Sequence, residues 1–314
     1  MIKKLVAALA VGLGMTAALA QDINFGIIST EATQNLKQDW QPLIDDMNRQ
    51  TGLKVTAFFA PDYAGIIEGM RFNKVHVGWF GNKSAMEAVD RASGEVFAQM
   101  VNADGTQGYY SHLIVHRDSP LNTLDDVLKN GKSLSFGNGD PNSTSGFLVP
   151  GFYVFAKNKT DAKSVFKLTR SANHETNALA VANKQVDVAT NNSENLEKVK
   201  DRSPEKFANI KVVWTSPLIP LDPLVMRKDL PEPTKAKLKN FFLNYAKTDA
   251  REKEIIMKIS KLSGFRASSD QQLVPIRQLD LFGQRNKIES DTILSDADKM
   301  AKLADIDKKL GALN

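Results

Sequence analysis

Asn73-Lys74-Val75-His76-Val77-Gly78-Trp79-Phe80-Gly81-Asn82 closes a helical stretch, runs a strand and stops in a turn. About 110 residues later, Asn183-Lys184-Gln185-Val186-Asp187-Val188-Ala189-Thr190-Asn191-Asn192 does the same. That separation is too long for a solenoid repeat. The same unit used once in each half predicts two similar lobes. In open α/β sheets a ligand sits beyond the carboxyl ends of the strands, where both turns fall. Two lobes facing each other there enclose a cleft. Two unrelated strand-to-helix turns are the plain alternative, because short motifs mislead easily.

Outward from these units the alternation continues. Ile23 to Ile28 reads as a strand, and Ala32 to Thr51 as a helix with Leu36, Trp40, Leu43, Ile44 and Met47 on one face. Leu53 to Phe59 is the next strand and Tyr63 to Phe72 the next helix. Repeated strand and helix imply the α/β class, with parallel sheets flanked by helices. Leu113 to Pro120 and Lys211 to Pro220 are apolar strands ending in turns, and we read them as the two crossings between lobes. On that reading the first lobe spans 22–115 plus 222–285, and the second spans 118–216. The remaining tail, 286–314, is charged, with weak helical spacing through Ile293, Met300, Leu303 and Ile306. It packs either on a lobe or on a second subunit, which leaves a homodimer open.

The first twenty residues read as a removable export signal rather than as part of the fold. Lys3 and Lys4 give a positive start, Leu5 to Ala20 carries no charge, and Ala18-Leu19-Ala20 has the small-residue pattern of a cleavage site. The uncharged run is short for a membrane span, which needs roughly 20 residues. No cysteine occurs in the 314 residues. The expected periplasmic protein therefore has no disulfide, no lipid-bearing cysteine, no thiolate chemistry and no cysteine metal site. Net charge is +5, two units of which leave with the signal. The rest is spread along helices without interleaved aromatics, which argues against a nucleic-acid partner.

Asp140-Pro141-Asn142-Ser143-Thr144-Ser145-Gly146 stands between an apolar strand and an apolar helix, Phe147 to Phe155. Ser143, Thr144 and Ser145 at a helix start offer hydroxyls beside unpaired backbone N–H groups, a geometry that suits a tetrahedral oxyanion. Capping explains one such hydroxyl; three exceed what a cap needs. Pro150 removes one helical hydrogen bond unless it lies in the first turn. His174 opens another helix and is placed to donate to an anion, although a lone His is more often a capping or surface residue. Glu194 ends a second-lobe strand, and Asp222 lies between Pro220 and Pro223. Two acids near a cleft suit an ammonium group, though each alone reads as a solvated charge. Tyr63 and Tyr109 sit in loops where aromatic rings wall pockets. His76, His112 and His116 are scattered, without metal-ligand spacing. No nucleophile elbow, Walker loop or His-Glu-x-x-His helix is present, so neither catalysis nor a cofactor is expected.

The segments Asn24 to Glu31, Phe58 to Ile67, Gly137 to Gly146, His174 to Ala180 and Arg266 to Asp270 resemble those of the periplasmic phosphonate-binding proteins of ABC transporters. The likeness runs from about residue 22 to about 282. It implies a two-lobed periplasmic binding protein of the type II kind that carries 2-aminoethylphosphonate to an inner-membrane permease. It also implies roles. Ser143, Thr144, Ser145, His174 and Tyr109 would hold the phosphonate, while Glu194, Asp222 and Tyr63 would hold the ammonium end. This chain departs from the family in two places. Trp79-Phe80 replaces the usual Trp-Tyr, a change expected at a pocket wall, and the tail is shorter than the one that builds the family's dimer. A receptor for another phosphonate or phosphite, a sensory module, and a periplasmic hydrolase of phosphorus esters are the competing readings.

Overall fold

The computed structural model describes residues 22–313. The expected export signal lies outside them. The chain begins with β1 (Asp22–Ile27), which pairs in parallel with β2 (Lys54–Phe59) and β3 (Val77–Trp79). Ile23, Phe25 and Ile27, which share one face of the strand, are wholly buried. The helix Thr33–Thr51 makes the first crossover and buries the face formed by Leu36, Trp40, Leu43, Ile44 and Met47. Tyr63–Arg71 makes the second crossover. After the helix Asn82–Arg91, β4 (Gly94–Asn102) completes the outbound half of this lobe.

The chain crosses on β5 (Gly108–Tyr109) and enters the second lobe as β6 (Ser111–His116). There follow β7 (Ser135–Asn138), β8 (Leu168–Ser171), β9 (Val188–Asn192) and β10 (Ile210–Thr215). It returns on β11 (Ile219–Pro220) to β12 (Pro223–Arg227) and β13 (Leu262–Ala267). The first sheet runs β13-β4-β12-β3-β1-β2, the second β10-β6-β9-β7-β8, and β11 with β5 forms a two-stranded connection. Both main sheets are mixed rather than parallel. β12 runs antiparallel to β3 and β4, and β6 antiparallel to β9 and β10.

The crossings therefore differ from the sequence expectation. Leu113 to His116 and Lys211 to Thr215 pair with each other inside the second sheet. The connection falls on Ile219 opposite Tyr109 and Pro220 opposite Gly108, so the second expected segment does hold its crossing, at its last two residues, while the first crossing lies before Leu113. The physical reason is the apolar content of β6. Leu113 and Val115 join one core cluster with Phe136, Phe155 and Phe166, while Ile114 joins another with Ala178, Val181 and Leu196. A strand that is apolar on both faces belongs inside a covered sheet, not in an exposed hinge.

The helix expected over Phe147–Phe155 starts at Thr144 and is wound in wide turns. Leu148 N–H bonds Ser143 O at 3.1 Å, one residue further back than in an α-helix. Pro150 explains the widening. It offers no N–H to Gly146 O, and Gly139 N–H takes that carbonyl instead at 3.0 Å. Ser145 O, also free of helical bonding, accepts from Ser111 Oγ at 2.6 Å.

The last helices lie against the body. Val274–Ser290 touches both the first-lobe helix Asn82–Arg91 and the second-lobe turns Gly151–Phe155. Asp296–Gly311 packs along Val274–Ser290 through buried Ile306 and an Arg285–Asp307 ion pair. The tail thus begins inside a helix that spans both lobes. Among the described residues no helix is long and apolar enough to cross a membrane.

Candidate functional site

Every candidate group except Asp222 and Tyr109 stands at the start of a helix, where N–H groups lack partners. Ser143 caps the wide-turned helix, its Oγ accepting from Gly146 N at 2.9 Å. Ser145 Oγ accepts from Asn192 Nδ2 at 3.0 Å. His174 opens the helix His174–Ala182, and its Nε2 lies 3.4 Å from both Ser143 Oγ and Ser145 Oγ. Thr144 behaves differently. Its Oγ1 accepts from Lys83 N at 2.8 Å, across the cleft at the start of the first-lobe helix Asn82–Arg91. All four side chains are buried.

Two acids line the same cavity. Asp222 sits in the return segment between β11 and β12, held by Trp79 Nε1 at 3.0 Å and Tyr109 OH at 3.2 Å. Glu194 lies in the first turn of Ser193–Arg202, a helix capped by Asn192, whose Oδ1 accepts from Asn195 N at 2.7 Å. Tyr63 opens Tyr63–Arg71 and donates its backbone N–H to Asp140 Oδ2 at 3.2 Å, another contact across the cleft. All eight candidates line one cavity of about 430 Å³, its mouth included. Thr30, Glu31, Trp79, Asn192, Asn195 and Lys198 line it with them.

The family model of ABC transporter, phosphonate, periplasmic substrate-binding proteins matches residues 25–273. The chain belongs to this family. It is 61% identical over 292 residues to the phosphonates-binding periplasmic protein of Escherichia coli, covering 93% of this chain and 86% of that one. Its fold matches the crystal structure of a binding protein component of an ABC phosphonate transporter from Pseudomonas aeruginosa. The TM-score is 0.91 at 56% identity, over 94% of this chain and 97% of that one. A phosphate-import protein of Mycolicibacterium smegmatis is 30% identical over 74% of this chain and 75% of its own length. Members of this periplasmic family are substrate-binding components of transporters, not enzymes, and this chain is one of them.

Electrostatics distinguish the imidazole from the two acids in this family member. Burial holds the His174 imidazole down at about 4, with Glu31 opposing, so the ring is neutral at physiological pH. A neutral ring between two hydroxyls serves an anion as a donor rather than as a charge. Burial pushes the Glu194 carboxyl up to about 7, with the Lys198 ammonium opposing. Asp222 is raised well above the carboxylate range by burial and then by the charge of Glu194. Burial and the neighbouring acids also keep the Tyr63 and Tyr109 hydroxyls protonated. Two acids that resist ionising next to each other are poised to accept a cation, which relieves both penalties at once.

Sequence reasoning missed part of the lining. Thr30 Oγ1, His174 Nδ1 and Asn195 Oδ1 are buried without a partner among the described residues. Buried polar atoms of this kind call for a partner from outside the protein. Thr30 lies in the segment Asn24 to Glu31, and Asn195 sits one residue beyond Glu194; neither carries a local signal of its own. The Phe80 expectation is corrected. Phe80 is wholly buried in the first-lobe core, and it is Trp79 that faces the cavity.

Proposed function

We propose that this chain captures a zwitterionic aminoalkyl phosphonate, 2-aminoethylphosphonate above all, between its lobes and presents it unchanged to the membrane permease. One observation carries the reading. A cavity lined by hydroxyls and a neutral imidazole also holds two acids, the buried Asp222 and the half-buried Glu194, whose carboxyls resist ionising. In this reading Ser143, Thr144, Ser145, His174 and Tyr109 meet the phosphonate oxygens, and Glu194, Asp222 and Tyr63 meet the ammonium. Each charge-assisted hydrogen bond contributes about 1.5–3 kcal/mol, enough for a few to outweigh the ordering cost of lobe closure. Inorganic phosphate has no cationic arm and would leave the acids facing each other, which discriminates against it.

Calorimetry with 2-aminoethylphosphonate, methylphosphonate and phosphate tests this. 2-Aminoethylphosphonate should bind more tightly than either of the other two. Equal affinity for all three removes the role given to the acids and favours a general phosphorus-oxyanion receptor. Release of phosphate or an aldehyde from the ligand would move the protein into a hydrolytic class.

A further inference from the structure

The rim of the cavity carries a second polar cluster. Glu31 follows β1 in the first lobe, and its side chain is only 1% exposed although it is a carboxylate. It pairs with Lys198 and Arg202, both in the second lobe. Asp39, on the helix Thr33–Thr51, takes Arg202 at 2.5 Å and Lys198 at 3.5 Å. A further second-lobe group grips the same segment. Glu175 accepts from Ala32 N at 2.6 Å and Asn35 Nδ2 at 2.8 Å, and its own N–H reaches Thr30 O at 3.3 Å. All these contacts join residues 30–39 of the first lobe to helices of the second.

The order of residues ties this cluster to the cavity. Glu194, Lys198 and Arg202 are spaced four apart, so they share one face of the helix Ser193–Arg202. Glu175 directly follows His174. Each second-lobe helix that offers a group to the cavity therefore offers another to the facing lobe. Separating the lobes would pull Glu31 and Asp39 away from both cations and return all four charges to water. None of these contacts can form before closure.

We propose that Glu31 and Asp39 with Lys198, Arg202 and Glu175 form a latch on the closed state, which sets how long a ligand stays. The proposal rests on the cavity being the ligand site, not on its preference for an amine. The latch residues are positioning residues, since they act on lobe geometry. Contacts made only after closure slow dissociation and leave encounter unchanged.

The test is Glu31→Gln in the full mature chain, with rapid-mixing kinetics for methylphosphonate and 2-aminoethylphosphonate. Breaking one partner of a desolvated charge pair acts on the off-rate, so dissociation of both ligands should quicken by about tenfold. Association should stay within about twofold of the parent. Arg202→Gln should give the same change, and the double variant should fall short of the product of the two. If Glu31→Gln fails to fold, Asp39→Asn gives the same readout from the more exposed end of the cluster. An unchanged dissociation rate overturns the latch. So does a change confined to the aminoethyl ligand, which would mean that Glu31 acts through Lys198 on Glu194. If the parent shows no preference for the amine, the specificity proposed above fails, while methylphosphonate still reports on the latch.

Discussion

Glu194→Gln separates the role of the acids from that of the hydroxyls, because it removes a charge at nearly constant size. Burial raises the Glu194 carboxyl from an ordinary 4.5 to about 7. At about 1.4 kcal/mol per pH unit, that rise amounts to about 3 kcal/mol against the charged form. The sign follows from proton affinity. The folded state holds this proton more tightly than the unfolded state, so Glu194 costs nothing below pH 4.5 and destabilises increasingly as pH rises towards 7. Glutamine cannot ionise. The variant should therefore melt higher than the parent at about pH 8 and like the parent at about pH 4. Ligand binding should respond in the opposite sense. Losing one charge-assisted contact, about 1.5–3 kcal/mol, weakens 2-aminoethylphosphonate by about 10- to 100-fold. Methylphosphonate has no ammonium and should stay within about threefold of the parent. Calorimetry and thermal melts at the two pH values read both effects. Equal losses for the two ligands, or a melt at high pH that tracks the parent, would refute the reasoning.

Asp222→Ala should weaken the aminoethyl ligand far more than methylphosphonate; uniform loss in calorimetry would indicate a hinge role instead. A ring-resonance titration by NMR should find His174 neutral down to about pH 4. A ring titrating near 6.5, the ordinary value, would place it in water. In Gly139→Ala the new Cβ would meet the Cα, C and O of Gly146 at 2.5 Å, all backbone atoms that cannot swing aside. The cost is about 1–3 kcal/mol, and affinity for both ligands should fall together; unchanged binding of either contradicts the account of that turn.

Helix starts were the legible part of the site. Ser143, His174, Glu194 and Tyr63 all stand where capping chemistry marks a helix N-terminus, and that chemistry is local. Reach across the cleft was not legible. Thr144 meets Lys83 N, and Glu31 meets Lys198 and Arg202, only because two lobes close, which no spacing within one segment encodes. Strand alternation assigns Trp79 and Phe80 to opposite faces without saying which face is the cleft. Nor does an apolar run ending in a turn distinguish a central strand such as β6 from a crossing. Only the helices that cover both of its faces settle that. Pro150 announces a disturbance by its missing N–H, but the remedy, a carbonyl handed to Gly139, lies in the preceding loop.

The indole of Trp79 spans two environments at once. Its N–H rests on the Asp222 carboxyl, and its ring stacks on Trp40 at 5.2 Å. Of the three tryptophans in the chain it is the one that lines the cavity. On the proposed reading a cation settling beside Asp222 would alter the field along that indole, so its emission colour and intensity should report occupancy. Capture should then be visible optically with no dye attached, and Trp79→Phe should silence the signal.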